Sequence, residues 1–536
     1  MIGFVGPDEP RYAWIARDMA ETGDWITPRL YGKPWFEKPP LLYWGGAIFF
    51  KLLGEGHPEV AARLPSAISA LLATLALAWL AWRTYGEECA RWLLLLLPTS
   101  VGMIGFSHAA ATDMPFAGML TIAMVCAAAA LGLVENENTP ILPRTPWRAL
   151  LLFGFFLGLA VLAKGPAAII LFAGAVFFWA IFTKRWHDAF RLLHPAAIVA
   201  FSVTALPWYI LCAHRNPDFF HIFIIEHNFK RYLTPEFQHI QPFWYYLPIL
   251  LVAFVPWSFL LLVAAGKGLS EFYRTHQISP LASLILSWIV FSLLFFSASK
   301  SKLPGYVLPT VPAIGFLFSR ILSASALLKR RTAGFTLALS GVFFLCASVY
   351  LQLQLRRLIP IHPHPIRFDQ TVTAFVLAFM FSLITLCAGA SFWPRANSVT
   401  DFLLRAASVL ALAFLIESSP VIVLRTQKIL LSGKALAIAA SHLPPAAQLR
   451  VIGFRRDYRY ALSFYLHREI PDWRESPIRD GFVFGNGLSC KDIYTVDSCA
   501  NLWANTDLEV DWSLLKITPA PSLDRPSGGR QPQQKE

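Results

Sequence analysis

The sequence predicts an all-α polytopic membrane protein of about twelve transmembrane helices, with a small C-terminal α/β extramembrane domain. Three observations predict it. Of 536 residues, 56% are hydrophobic and 15% charged, against about 25% charged in a soluble domain, and the mean hydropathy is +0.51. Apolar runs of about 20 residues, each long enough to cross a bilayer, recur along the chain. From about residue 418 onward the composition turns globular.

Residues 1–59 are mixed in polarity and rich in aromatics, and read as an amphipathic region on one side of the membrane, with a helix over Pro10–Ala20. No cleavable signal peptide is expected, because Met1 to Pro7 is short and lacks a basic flank. Spans are expected at roughly 60–82, 92–109, 113–134, 149–163, 166–182, 195–213, 243–265, 280–298, 304–322, 333–351, 371–392 and 402–417. Residues 60–425 thus form a membrane domain, 435–518 a C-terminal domain and 519–536 a disordered tail rich in Pro, Gly, Gln and Ser. In the C-terminal domain, Arg450–Phe454 and Gly481–Phe484 read as strands and Tyr458–His467 as an amphipathic helix. Five of the seven cysteines (Cys89, Cys126, Cys212, Cys346, Cys387) sit in apolar runs, which excludes a disulfide scaffold. Cys490 and Cys499 remain, either as a pair or as two thiols.

Charge sets the sides. The formal charge of +13 suits loops beside anionic lipid and points away from nucleic acid. Alternation puts the loops near 110–113, 164–165, 214–242, 299–303 and 352–370 on the side of residues 1–59, together with the C-terminal domain. The opposite loops are denser in base, holding Arg83, Arg91, Arg144, Arg148, Lys184, Arg185, Arg191, Lys267, Arg274, Lys329, Arg330, Arg331, Arg395 and Arg405. That density assigns them to the cytoplasm, and the first set to the outer face of a cytoplasmic membrane.

The outer loops collect the distinctive ionisable groups: Asp8, Glu9 and Arg11; Glu37 and Lys38; Asp113; Lys164; His227, Lys230 and Arg231; Lys300 and Lys302. Each has a local explanation. Asp8-Glu9 and Asp113 stand where helix caps or first-turn acids stand. Lys164 precedes Gly165-Pro166, a plain turn whose lysine can snorkel to headgroups. A lone His227 is commonly structural, and Lys300 and Lys302 can simply end helices. Six separate explanations on one face are a weaker account than one shared site. Carboxylates (Asp8, Asp113) beside cations (Arg11, Lys38, Lys164, Lys302) suit activation of an acceptor with release of a phosphate. No Walker loop and no dinucleotide fingerprint is present, so a lipid-linked phosphate donor fits better than a soluble nucleotide.

In these residues the sequence resembles the GT-C glycosyltransferases that use polyprenyl-phosphate sugars. The resemblance is strongest to the lipid A aminoarabinose transferase group, with protein O-mannosyltransferases more distant. It rests on DEPRYA from Asp8, FEKPPL from Phe36, TDMP from Thr112, AKGP from Ala163, EHNFKRY from Glu226 and KLPGYVLP from Lys302, in family order. It covers about residues 1–320. The resemblance implies a GT-C fold and transfer of a sugar from a polyprenyl phosphate to a lipid or protein acceptor, with inversion. Asp8 is then the base or acceptor-orienting acid, Asp113 a second acid, Lys38 the contact to the carrier phosphate and Arg11 its helper. Tyr306 lines the carrier groove, and Lys164 and Lys302 belong to the same cation set. Glu37 and His227 resemble a pair holding a structural divalent metal, zinc; no cofactor is implied for the chemistry itself. Family members begin with a transmembrane helix before the first acidic motif, whereas seven residues precede Asp8 here, so either the start lies downstream or the helix is lacking. Trp35 stands where the lipid A enzymes carry Tyr, which points to a different sugar or acceptor. The runner-up is a transporter or flippase, but carriers place binding groups near the midplane on related repeats, and none is visible here.

Overall fold

The computed structural model describes residues 3–134, 146–230, 232, 240–255, 257–324, 433–441, 443–444, 447–478, 480–486, 498–505 and 512–518. The spans expected at 333–351, 371–392 and 402–417, the pairing of Cys490 with Cys499, and the tail lie outside them. Two compact units emerge: Tyr12–Thr426, and Met1–Arg11 with Gln427–Glu536.

The chain opens with helix α1 (Asp8–Thr22), a two-residue hairpin of β1 (Arg29–Leu30) and β2 (Lys33–Pro34), and helix α2 (Leu41–Leu53). Then come α3 (Pro58–Tyr85), α4 (Glu87–Leu96), α5 (Val101–Ser107), α6 (Asp113–Ala130), α7 (Trp147–Lys164), α8 (Ala167–Thr183), α9 (Trp186–Phe190) and α10 (Pro195–Arg215). A π-helical segment, His221–Lys230, precedes α11 (Tyr246–Ala253), α12 (Ser258–Thr275), α13 (Pro280–Ala298) and α14 (Thr310–Ala324). All nine spans expected on described residues are helical. Five of these helices (α3, α6, α7, α10, α13) are long and apolar enough to cross a membrane unbroken, and two bent pairs bring the number to seven. The protein is a mostly helical, polytopic membrane protein.

The bent pairs correct the expectation of continuous spans at 92–109 and 243–265. Helices α4 and α5 meet at 63°, and the segments Phe243–Ala253 and Ser258–Thr275 at 115°. Pro98 has no N–H to continue α4, and the groups freed at each break find the other break. The Val101 N–H donates to the Val255 carbonyl at 2.9 Å. The Trp257 indole N–H donates to the Thr99 hydroxyl at 2.9 Å. Gly102 lies so close to Ala253 that an added Cβ would come within 2.8 Å of its methyl.

Named contacts sort the helix ends of the larger unit into two sets. Helices α7 and α10 run parallel: Gly154 faces the Ala197 carbonyl, Gly158 faces Thr204, and the Tyr209 hydroxyl donates to the Val161 carbonyl at 3.1 Å. Helix α6 starts where α7 ends, because Asp113 pairs with Lys164. Helix α3 runs along α6, with the Ser66 hydroxyl donating to the Ala111 carbonyl at 3.3 Å. At the far end the hydroxyls of Tyr85 and Ser279 are 3.2 Å apart, and the Trp179 indole donates to the Pro280 carbonyl at 2.9 Å. The starts of α3 and α6 and the ends of α7, α10 and α13 therefore share one end of this unit. That is the grouping expected from alternation.

In the smaller unit a four-stranded mixed sheet has the order β3 (Leu449–Ile452), β4 (Gly481–Asn486), β6 (Trp512–Thr518), β5 (Ser498–Asn505). β3 and β4 are parallel, with Val451 opposite Phe484, and the other pairs are antiparallel. Helices α15 (Gly433–Ala440) and α16 (Arg456–Tyr465) contribute Leu436, Ala437 and Leu462 to a core with Leu449, Val451 and Phe484. The expected strands and helix are present; β5, β6 and α15 were not foreseen.

Candidate active site

Three motifs far apart in sequence meet at the shared end of the helices. Helix α7 stops at Lys164 because Gly165, at φ 81°, turns the chain and bonds its N–H back to Val161 at 2.7 Å. The Lys164 ammonium pairs with the Asp113 carboxylate, the side chains being 12% and 21% exposed. It also lies 4.8 Å from the centroid of the Tyr306 ring and 5.4 Å from that of Phe116. Asp113 is the first residue of α6; Thr112 holds the cap position, and its side chain makes no cap hydrogen bond. The local explanation of Asp113 as a cap is thereby replaced by an ion pair between two helices. Gly305, in the 3₁₀ turn Pro304–Val307, lets this turn approach Asp113; a Cβ there would lie 2.7 Å from Asp113 Oδ1. Sequence reasoning quoted KLPGY without singling out its glycine, and only the close approach reveals its role.

The FEKPP loop is anchored from both sides. Phe36 is buried among Leu162, Trp208, Cys212, Phe219 and Phe223, with its ring 5.3 Å from Phe219. The Trp208 indole donates to the Ile26 carbonyl at 2.9 Å, and the Asn216 amide to the Thr27 hydroxyl at 3.0 Å. Held this way, Glu37 and Lys38 lie 3.8 Å apart, both nearly buried.

Lys302 is buried, and its ammonium donates to the Ser299 carbonyl at 2.6 Å and the Gln241 carbonyl at 3.0 Å. Burial, then the neighbouring Lys300 charge, pushes this ammonium below the ordinary lysine range. The loop it braces is also tied through the Lys300 N–H to the Tyr232 carbonyl at 3.0 Å. Tyr306 packs on Phe296, at 5.7 Å between ring centroids.

His227 lies on the π-helical segment, whose Phe223 joins the cluster around Phe36. For the zinc that the resemblance implies, Glu37 and His227 supply two ligands. Among the described residues no group of three or more His, Cys, Asp and Glu side chains assembles. Zinc takes three or four protein ligands, and no chemical step is routed through a metal.

In the smaller unit, Asp8 is the first residue of α1 and Arg11 pairs with it one turn on. Glu9 takes the local turn duty, its carboxylate accepting the Val5 N–H at 2.7 Å. Asp8 is left half-exposed, at 54%, with the buried Arg11 guanidinium on one side.

Residues 4–223 match the family described as Dolichyl-phosphate-mannose-protein mannosyltransferase. Proteins named Undecaprenyl phosphate-alpha-4-amino-4-deoxy-L-arabinose arabinosyl transferase are similar over longer stretches. The one from Aeromonas salmonicida is 34% identical over 65% of this chain and 62% of its own length. The one from Yersinia pestis is 33% identical over 72% of this chain and 69% of that protein. The chain thus spans less than two thirds of the first of these relatives. The crystal structure of ArnT from Cupriavidus metallidurans bound to undecaprenyl phosphate superposes with a TM-score of 0.77 at 22% identity, covering 96% of this chain and 94% of that one. The fold is shared with that structure. Sequence similarity at this level and coverage, on top of the common fold, establishes that the chain belongs to the undecaprenyl phosphate-aminoarabinose arabinosyl transferase family.

Proposed function

We propose that the chain transfers a pentose, 4-amino-4-deoxy-L-arabinose or a close analogue, from undecaprenyl phosphate to a lipid acceptor at the outer face of a bacterial cytoplasmic membrane. Lipid A is the acceptor favoured by the motif resemblance, and a protein acceptor is the alternative. The observation that carries this reading is the meeting of TDMP, AKGP and KLPGY in one nearly buried contact, Asp113–Lys164–Tyr306. A cation held by a carboxylate and an aromatic face suits an anionic headgroup that arrives from the bilayer beside apolar chain.

In this mechanism Lys38 contacts the carrier phosphate, with Lys164 and Lys302 as further cations and Arg11 as a helper. Asp113 orients Lys164 and balances its charge before the donor binds. The acceptor attacks the anomeric carbon, its proton passes to Asp8, and the carbon–oxygen bond breaks with its electron pair leaving on undecaprenyl phosphate. That leaving group is already anionic, so no general acid is needed. A single displacement of this kind inverts the anomeric centre.

The test is Asp8→Asn, assayed with purified protein, an undecaprenyl-phosphate sugar and extracted envelope lipids, with the product read by mass spectrometry. Asn starts a helix about as well as Asp, so the variant is expected to insert and fold while transfer falls by about 10²–10⁴-fold. Transfer at the parental rate would make Asp8 a helix-start residue only. Release of intact donor on the far side without transfer would make the protein a flippase.

A further inference from the structure

The smaller unit holds both ends of the segment that carries Asp8. Phe4 is buried, with its ring 4.8 Å edge-on from Phe464 and stacked 5.8 Å from Tyr465, whose hydroxyl accepts the Phe4 N–H at 3.1 Å. Further along, the Arg11 guanidinium lies 5.3 Å from the centroid of the Tyr460 ring. Tyr460, Phe464 and Tyr465 belong to one helix, α16, and positions four apart fall on one face. Arg11 is thereby held three ways. Its Nε donates to the Pro7 carbonyl at 3.0 Å, its terminal nitrogen pairs with Asp8, and its plane meets the Tyr460 ring.

We propose that Tyr460 is a positioning residue for sugar transfer: its ring fixes the Arg11 guanidinium, which in turn aims the Asp8 carboxylate. The proposal rests on the reading of Asp8 as the base. The bond to Pro7 fixes one edge of the planar group, and the Asp8 carboxylate it pairs with is half-exposed. The ring face restrains the guanidinium further, because a guanidinium is drawn to an aromatic quadrupole and stacks on it. The helix of the C-terminal domain then enters the chemical step, beyond any part in acceptor access. The contact uses the ring and not the hydroxyl, so Phe should serve where Leu does not.

The experiment compares Tyr460→Phe, Tyr460→Leu and Arg456→Ala in the full chain, reading kcat, donor KM and thermal midpoint. Arg456, exposed, lies 5.9 Å from the same ring and serves as the control. Tyr460→Phe and Arg456→Ala are expected to turn over at the parental rate. Tyr460→Leu should lose about tenfold in kcat, a part of what positioned proton transfer supplies, with donor KM and midpoint unchanged. Placed on Arg11→Ala, Tyr460→Leu should cost nothing more, since the ring acts through the guanidinium. If Tyr460→Leu fails to accumulate in the membrane, Tyr460→Met makes the same comparison. A parental kcat for the aliphatic variant, an equal loss in Tyr460→Phe, or the same loss with and without Arg11 would overturn the proposal. Asp8→Asn separates the two ideas: if it is inactive while Tyr460→Leu is silent, this proposal alone fails, and if it is active, the base reading fails first.

Discussion

Adding one methyl at Gly305 tests whether the placement of Asp113 matters to transfer. A Cβ at this position would lie 2.7 Å from Asp113 Oδ1, 2.8 Å from its carboxyl carbon and 3.0 Å from Phe106 Cε1. Carbon atoms rest at about 3.5–4.0 Å, so the carboxyl group must retreat by roughly 0.7–1.2 Å. Phe106 blocks one way out, and Lys164, drawn to Asp113, must follow or part from it. A displacement of about 1 Å at a reacting constellation costs about 10²-fold. We therefore expect Gly305→Ala to lower kcat by about 30–100-fold, or about 2–3 kcal/mol of transition-state stabilisation. Overpacking also destabilises, by about 1–3 kcal/mol, so thermal midpoints are measured beside turnover and rates are normalised to folded protein. The assay is transfer from an undecaprenyl-phosphate sugar at saturating donor. Gly305→Ala turning over at the parental rate, while Asp113→Asn is inactive, would refute the positional argument, because the turn would have absorbed the methyl without moving the acid.

Other expected outcomes follow from the same contacts. Lys164→Met leaves Asp113 without its lysine partner and should cost about 2–3 kcal/mol, less than a fully buried pair because both side chains keep some exposure; Asp113→Asn with Lys164→Met should recover most of that stability and none of the transfer, a pattern read by unfolding midpoint and turnover together. Lys38→Ala should raise the donor KM more than Lys38→Arg does, since the phosphate is charged before reaction; equal KM values below saturation remove Lys38 from the carrier site. The Lys302 ammonium has its pKa lowered by burial and by Lys300, so the folded protein releases this proton before the unfolded chain does. Stability should therefore rise with pH between the lowered folded value and the ordinary lysine value of 10.5, and that rise should vanish in Lys302→Met.

Local pattern made much of this architecture readable. Helix α7 could be ended at Lys164 from the Lys-Gly-Pro sequence, and the nine apolar runs on described residues each became helix, because length and hydropathy are properties of a segment alone. Which helix ends meet was readable from alternation, which put Asp113 and Lys164 on one face; their pairing was not read. The breaks near Thr99 and Val255 were not read, since each is satisfied by the other; Pro98 and Pro256 were the local signs. Asp113 itself looked like a cap, and only the partner on another helix distinguishes an ion pair from a cap. Strands β5 and β6 escaped notice although they are longer than β3 and β4, because a strand is stabilised by neighbours distant in sequence. The contact of Arg11 with Tyr460 joins the two extremes of the chain, a separation that no periodicity reports.

The mutual dependence of the two broken helices also bears on how the chain is made. The Val101 N–H is satisfied by a carbonyl roughly 150 residues later in synthesis. At ~5–20 residues per second, the ribosome delivers Val255 about 8–30 seconds after Val101. During that interval the segment Glu87–Ser107 has an unfilled gap in its backbone bonding, which lipid cannot fill. It must wait at the water boundary, or beside the insertion machinery, until Phe243–Thr275 arrives. The unbroken helices α3, α6, α7 and α10 have no gap that waits on so distant a partner and can enter in order. Biogenesis should therefore stall at one identifiable stage, after α10 and before α12, where a protease added to nascent chains would find the first break open and later find it closed.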